Sequence, residues 1–398
     1  MMIQWRWLVL AYCLLSAGGQ CFVQAQSSNA LSADTASAVA NGQPFIDWDT
    51  NTLVLIQEQG HYGRIIRLRK GQLVCGYDYR GKIQVRLSTD EGKTWQPAGH
   101  VAEWEFGRLT NTELLELQDG TLLCFYDARP RGAPNAATDA PREKPFAICM
   151  ARSTDQGTTW QPPVTLYSGG REWGNGCWEP AAIQLSRGEI QVFFANEAPY
   201  RESNEQEITL LRSTNNTTTW SAPERVSFRA NHRDGMPVPL VLQDGTDIVV
   251  AIEDNGWSGD FKPVMVHTTI QDCWRSGSIL AQSPQRWCAL AKPLPATVYA
   301  GAPYIRQMPS GEVVLSFQTS ERGGVRTSRM AVAIGNSQAR KFDEPSFPFS
   351  RESERTQLWN SLFVKNAATI TAVSETTING TFGIWSIDGH FHSASVVK

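Results

Sequence analysis

Ser88-Thr89-Asp90-Glu91-Gly92-Lys93-Thr94-Trp95 returns as Ser153-Thr154-Asp155-Gln156-Gly157-Thr158-Thr159-Trp160. It returns again as Ser213-Thr214-Asn215-Asn216-Thr217-Thr218-Thr219-Trp220, with Asn215 and Thr217 replacing Asp and Gly. The copies start 65 and 60 residues apart, and a fixed period of that size marks a repeat architecture. Weaker echoes run from His267 to Trp274 and from Gly335 to Phe342, and Ser386-Ile387-Asp388-Gly389 closes the series. Upstream of each box lies a tight turn between β-prone runs: Arg69-Lys70-Gly71, Gln118-Asp119-Gly120, Ser186-Arg187-Gly188, Gln243-Asp244-Gly245, Pro309-Ser310-Gly311 and Lys365-Asn366-Ala367. Such turns read as hairpins. Four antiparallel strands per unit, six times over, predict an all-β, six-bladed β-propeller.

The chain has 398 residues, 41% hydrophobic and 19% charged, with a net charge of −3. Disorder is excluded, and so is the strongly basic surface that a nucleic acid partner requires. Residues 1–25 carry one early positive charge, Arg6, an apolar stretch from Trp7 to Ala17, and a small and polar end. That pattern predicts a cleaved signal peptide and a secreted or periplasmic protein, with no membrane span in the mature chain. A flexible segment over 26–44 and a single propeller over 45–398 complete the expected organisation. Of the six later cysteines, Cys75, Cys124 and Cys149 fall in strand-like runs and are expected as buried thiols, while Cys273 and Cys288 are candidates to pair. The scattered histidines give no metal site, and no cofactor is expected.

The Ser-x-Asp-x-Gly-x-Thr-Trp element resembles the Asp box of the sialidase-like (BNR-repeat) superfamily, a resemblance that also implies a six-bladed propeller. In such a turn Asp accepts backbone N–H bonds and Gly supplies a positive φ, so the box Asp and Trp read as structural. In an antiparallel meander the boxes and the first hairpin turns share one rim. Functional side chains are then expected on the other, before each first strand and after each second one. In chain order these are Arg64 with Asp78; Arg108 and Asn111 with Asp127; Trp178 and Glu179 with Glu197; Arg233 and Asp234 with Glu253; Tyr304 with Gln318; and Trp359 with Glu375. The 14 tryptophans divide accordingly. Trp95, Trp160, Trp220 and Trp274 belong to the repeat turns, whereas Trp178 and Trp359 are expected to stack on sugar.

Glu179 and Glu253 each abut an apolar strand run in adjacent units, and two carboxylates with divided roles are what glycosidic cleavage needs. The segments Gly174–Pro180, Arg233-Asp234-Gly235-Met236, Ile248–Glu253 and Ala300-Gly301-Ala302-Pro303 resemble the exo-α-1,5-L-arabinanases of glycoside hydrolase family 93. The resemblance implies retaining hydrolysis of an oligo- or polysaccharide, with Glu179 as nucleophile and Glu253 as acid/base; a monomer is expected. It also implies substrate contacts from the remaining rim residues, including Arg64, which has pairing with Asp78 as its alternative. The insertion from Arg129 to Pro145 departs from that pattern. Two rival readings stand beside it: an exo-α-sialidase, against which Trp359 occupies the place of the expected tyrosine, and a glycan-binding propeller without catalysis.

Overall fold

The computed structural model describes residues 42–132, 142–321, 327–349 and 356–394. The expected signal peptide and residues 26–41 of the N-terminal segment lie outside them. The first element is β1 (Phe45–Glu58). Blade 1 comprises β2 (His61–Arg67), β3 (Leu73–Tyr79), β4 (Lys82–Ser88) and β5 (Gln96–Ala102). Blade 2 holds β6 (Gly107–Glu116), β7 (Leu122–Pro130), β8 (Ala147–Ser153) and β9 (Val164–Ser168). Blade 3 is β10 (Cys177–Gln184), β11 (Ile190–Asn196), β12 (Glu207–Ser213) and β13 (Glu224–Ser227). Blade 4 runs through β14 (Asp234–Val241), β15 (Asp247–Asp254), β16 (Lys262–Thr269) and β17 (Arg286–Cys288). Blade 5 has β18 (Ala300–Gln307), β19 (Val313–Thr319), β20 (Arg329–Gly335) and β21 (Asp343–Ser346). Blade 6 contributes β22 (Leu358–Asn366), β23 (Thr369–Ile378) and β24 (Thr381–His392).

The expected propeller of six four-stranded antiparallel blades is therefore what the chain forms. Its last blade takes its outer strand from the other end of the chain: β1 pairs with β24 from Phe45↔His392 to Glu58↔Gly383. This closure corrects one reading. Ser386-Ile387-Asp388-Gly389 is not a turn but the middle of β24, because an outer strand supplied by the N-terminus needs no connection there. Asp388 is instead held by Lys365, Thr371 and Thr52.

The second strand of each blade is covered by blades on both sides, so its sequence is a nearly unbroken apolar run rather than an alternation. Every residue of β11 and of β19 is buried. Among the described residues, Cys75, Cys124, Cys149, Cys177, Cys273 and Cys288 are free thiols. The Cys273–Cys288 pairing is thus not formed. Cys273 lies among the donors Arg187, Gln191 and Arg212 at 2.9–3.3 Å. No helix of the described residues is long and apolar enough to cross a membrane.

The repeated boxes are self-contained turns. Ser88 Oγ donates to Asp90 Oδ1 at 2.8 Å and accepts the Gly92 N–H at 2.9 Å, while Asp90 accepts both the amide and the hydroxyl of Thr94. Trp95 Nε1 donates to the Gly92 carbonyl at 3.1 Å, and Trp160 repeats the bond to Gly157 at 3.0 Å. The third turn keeps the Ser213 and Asn215 bonds, yet Trp220 Nε1 is buried without a partner. The fourth is shifted: Asp272 caps Ser276, so Trp274 occupies the glycine's place, with φ +66°, rather than that of the box Trp. At the glycine's place in the third turn stands Thr217, with φ +70°, where a β-branched side chain is strained. Thr217→Gly is expected to raise unfolding free energy by about 1 kcal/mol, measured by denaturant titration, since relief of that strain outweighs the entropy cost of Gly.

Candidate active site

All six inner strands carry the same defect. In β2, β6, β10, β14, β18 and β22, two residues oppose one on the neighbouring strand, with register shifts at His61/Arg64, Thr110/Glu113, Trp178/Ala181, Gly235/Val238, Gly301/Tyr304 and Leu358/Ser361. The first bulged residue is left-handed each time: Tyr62, Asn111, Glu179, Met236, Ala302 and Trp359, with φ between 47° and 60°. Such a bulge frees backbone groups from the ladder and re-aims a side chain. Pro180, Pro237 and Pro303 follow three of these residues, removing an N–H that the ladder has no place for.

Side chains of the preceding blade capture the freed amides. Glu179 Oε2 accepts from Met236 N at 3.0 Å, and Glu253 Oε2 accepts from Ala302 N at 2.7 Å. Gln318 Oε1 accepts from Trp359 N, and Glu375 accepts the amide of Tyr62 while also bonding His61 at 2.8 Å. The run from blade 3 through blades 4, 5 and 6 to blade 1 is continuous. Between blades 1 and 2, the Thr110 hydroxyl donates to Asp78. Between blades 2 and 3, Arg129 bonds Asp127 at 2.7 Å and Asn111 at 2.5 Å and lies 4.9 Å from the Trp178 ring centroid.

Glu179 and Glu253 come together here, on adjacent blades and partly exposed. Burial raises both carboxyls above their ordinary range. The charge of Glu253 pushes Glu179 further, while Arg129 and the Met236 amide oppose the rise. At Glu253 the Ala302 amide and Arg233 oppose it and Asp260 adds to it. Asp78 and Asp127 are each pushed to about 6, chiefly by burial. Tyr62 and Tyr299 join the pair, both held neutral by burial and by the nearby glutamates.

Sequence reasoning placed the other rim residues with mixed success. Arg64 does not pair with Asp78. It sits deeper on the axis, 3.5 Å from Glu113, donating to the Trp359 carbonyl and lying 4.9 Å from the ring centroid of Tyr304. Tyr304, 2% exposed, contacts Glu113 and Arg306 in that lower layer. Arg108 is exposed at the rim. Arg233 bonds Glu197 and Gln206, and Glu197 accepts the Gly176 amide at 3.2 Å, which secures the segment leading into Glu179. Asp234 is taken up by Arg286 of its own blade and by Ser227 at the end of blade 3. Trp178 is not an open platform: at 7% exposure it packs against Phe146, Trp173 and Arg129. Trp359 stacks on Tyr62, with centroids 4.8 Å apart and planes 13° apart.

Tyr62, Glu113, Arg129 and Tyr299 were missed as site residues. The only signal for Arg129 was its place at the start of an insertion, and for Tyr62 its equivalence to Glu179 in the repeat.

Residues 120–321, about half the chain, match the family described as BNR repeat-like domain. No curated protein matches. Among solved structures, the chain is similar to the family 93 α-L-arabinofuranosidase of Fusarium graminearum in complex with arabinobiose, at TM-score 0.65 and 18% identity over 87% of this chain and 98% of that one. The α-L-arabinanase of Penicillium chrysogenum complexed with arabinobiose gives 0.63 and 17% over 87% and 99%. The Hadza microbial sialidase Hz136 gives 0.55 and 13% over 82% and 65%. At these identities the likeness is one of fold.

Two outcomes test the geometry. A Cβ on Gly301 would lie 2.4 Å from Glu253 Oε2 and 2.5 Å from the Tyr299 hydroxyl. Gly301→Ala should therefore displace Glu253 and the Tyr299 ring end and cut turnover by roughly tenfold or more, measured as kcat on arabinan. Because the folded pKa values of Glu179 and Glu253 are raised, the native state binds more protons than the unfolded one. Stability then falls as pH rises from the ordinary carboxylate range through the raised values. Glu179→Gln is expected to exceed the parent in stability at pH 8, by about 2 kcal/mol, and not at pH 4.

Proposed function

This chain belongs to the BNR repeat-like domain family, and we propose that it is an exo-acting, retaining glycoside hydrolase of α-1,5-L-arabinan or a closely related polysaccharide. The observation that carries this reading is the Glu179–Glu253 pair, two partly exposed carboxyls on adjacent blades that burial raises together, with the charge of Glu253 raising Glu179 further, so that the pair holds a proton at neutral pH; the division of roles between them follows the family resemblance. In the proposed mechanism Glu179 attacks the anomeric carbon. Burial and Glu253 raise its pKa, and Arg129 and the Met236 amide work against that rise. Glu253 protonates the departing glycosidic oxygen and then takes a proton from the water that releases the product. The Met236 and Ala302 amides fix both carboxylates before substrate arrives, so little reorganisation is left to the reaction.

A sugar needs hydrogen-bonding partners as well as a reactive pair. Asn111 Nδ2 and Asp127 Oδ1 are buried without partners among the described residues, and they supply one donor and one acceptor to a ring hydroxyl. Export by a signal peptide and action as a monomer complete the proposal. Against the sialidase alternative stands Trp359, held by Tyr62 and Gln318 in the sixth inner strand.

Incubation with linear arabinan, debranched arabinan and sialyllactose, with chromatography of the products, is expected to yield a disaccharide from linear arabinan and no free sialic acid. The first-formed product should keep the substrate's anomeric configuration by NMR. Glu179→Gln should lose roughly a thousandfold in kcat. Glu253→Ala should retain activity on an aryl glycoside whose leaving group needs no proton, and azide should restore it further. Full activity of Glu179→Gln on arabinan would overturn this mechanism, whereas no product from any of the three substrates would leave the glycan-binding reading in its place.

A further inference from the structure

Among the described residues, four large apolar side chains are exposed: Val164, Trp173, Trp257 and Leu280, at 51%, 43%, 37% and 49%. Their distribution is not even. Val164 opens an outer strand, β9, and Leu280 lies between β16 and β17, next to Ile279, which bridges Ser227 at the end of the outer strand of blade 3. Trp173 precedes β10 and Trp257 follows β15, which places both on the rim that carries Glu179 and Glu253. Only the aromatic pair is placed on that rim by the strand order.

Each exposed indole is tied to one of the two glutamates by a short chain of contacts. Trp173 packs on Trp178 with centroids 5.3 Å apart, and Trp178 immediately precedes Glu179 in the bulge. Trp257 lies over Arg229, which is paired with Asp254 at 2.9 Å, and Asp254 immediately follows Glu253. The two are built alike. Arg142 approaches the Trp173 ring and Arg229 the Trp257 ring, each with its guanidinium carbon 5.8 Å from the centroid. Phe146 braces Trp173 edge-on at 5.9 Å. A braced, exposed indole at a site rim has lost little conformational freedom still to lose, and offers flat apolar surface to the C–H face of a sugar ring.

We propose that Trp173 and Trp257 are binding platforms for sugar residues of a polysaccharide chain outside the reacting position, one on the blade 3 side and one on the blade 4 side of the glutamate pair. The substrate class is then a polymer and not a small glycoside. This inference rests on the carbohydrate-directed reading of the site, but it assigns binding to residues other than Trp178 and Trp359, whose rings are engaged within the protein.

The test compares Trp173→Ala, Trp257→Ala and the double variant on linear arabinan and on an aryl arabinofuranoside. Each single variant is expected to lose roughly five- to twentyfold in kcat/KM on the polymer, mostly through KM, with the small substrate unchanged within about twofold. Equal losses on both substrates, or none on either, would overturn the proposal. To separate it from the choice of substrate, Glu179→Gln is run through affinity gels containing arabinan, xylan, pectin and β-glucan, with and without the tryptophan substitutions. Retardation by any of these polymers that disappears with the indoles supports the platforms even if arabinan is not the substrate. Absence of retardation by all of them, or retardation that survives the double substitution, refutes them. Circular dichroism confirms folding of each variant, since both side chains are surface-exposed.

Discussion

The bulge in each inner strand is the constraint on which this structure depends. A propeller must bring six strands to one axis, and every one of them turns a residue into the left-handed region just where it enters the blade. For residues such as Tyr62, Met236 and Trp359 that conformation costs on the order of 1 kcal/mol or more apiece, and it releases an amide from the ladder. An unpaired N–H near the axis would cost more. Side chains of the neighbouring blade take up four of the six amides, and two of those acceptors are the glutamates of the proposed reaction. The parts that join blade to blade and the parts that would act on substrate are thus the same atoms.

The charges of blade 4 divide along a clear line. Asp234 and Asp254 flank Gly235 and Glu253 in the paired register, yet both are neutralised by Arg286, with Arg229 on Asp254 and Ser227 on Asp234. The Arg286 side chain is fully buried and bonds both aspartates through its terminal nitrogens, while its Nε has no partner among the described residues. Glu253 sits one residue away without such a partner. Its negative charge is opposed by an amide and by Arg233, whose guanidinium is already committed to Glu197. The fold spends its buried cations on carboxylates that hold strands and leaves the pair at the mouth undercompensated, which is what keeps a proton available there.

How far the site was legible depended on what each residue had to do. Glu179 and Glu253 were readable because strand ends and a repeat period fix which residues reach the rim. Arg64 was placed on the right strand as a substrate contact, with Asp78 as its alternative partner, but the bulge drops it one layer below the mouth, where Glu113 and not Asp78 meets it. Trp178 and Trp359 reach the correct rim, but their rings turn into neighbours, because a large aromatic near an axis finds more apolar surface inside than out. Trp257 and Trp173, in irregular segments without a repeat signature, gave no pattern to read.

The sequence by itself determined the number of blades, the antiparallel course of the strands within the repeat and the rim on which Glu179 and Glu253 lie. These follow from local periodicity, turn residues and covalent order, which are written along one dimension. Tertiary structure alone decided the closing strand, the partner of each charge and the face of each ring. Those outcomes depend on contacts between blades up to about three hundred residues apart, such as Ser361 with Gly63 and Trp48 with Ser346. No local pattern encodes which of two neighbours a side chain will meet when both lie at the same distance from the axis. That choice is made by burial and hydrogen-bond satisfaction only when all six blades are in place.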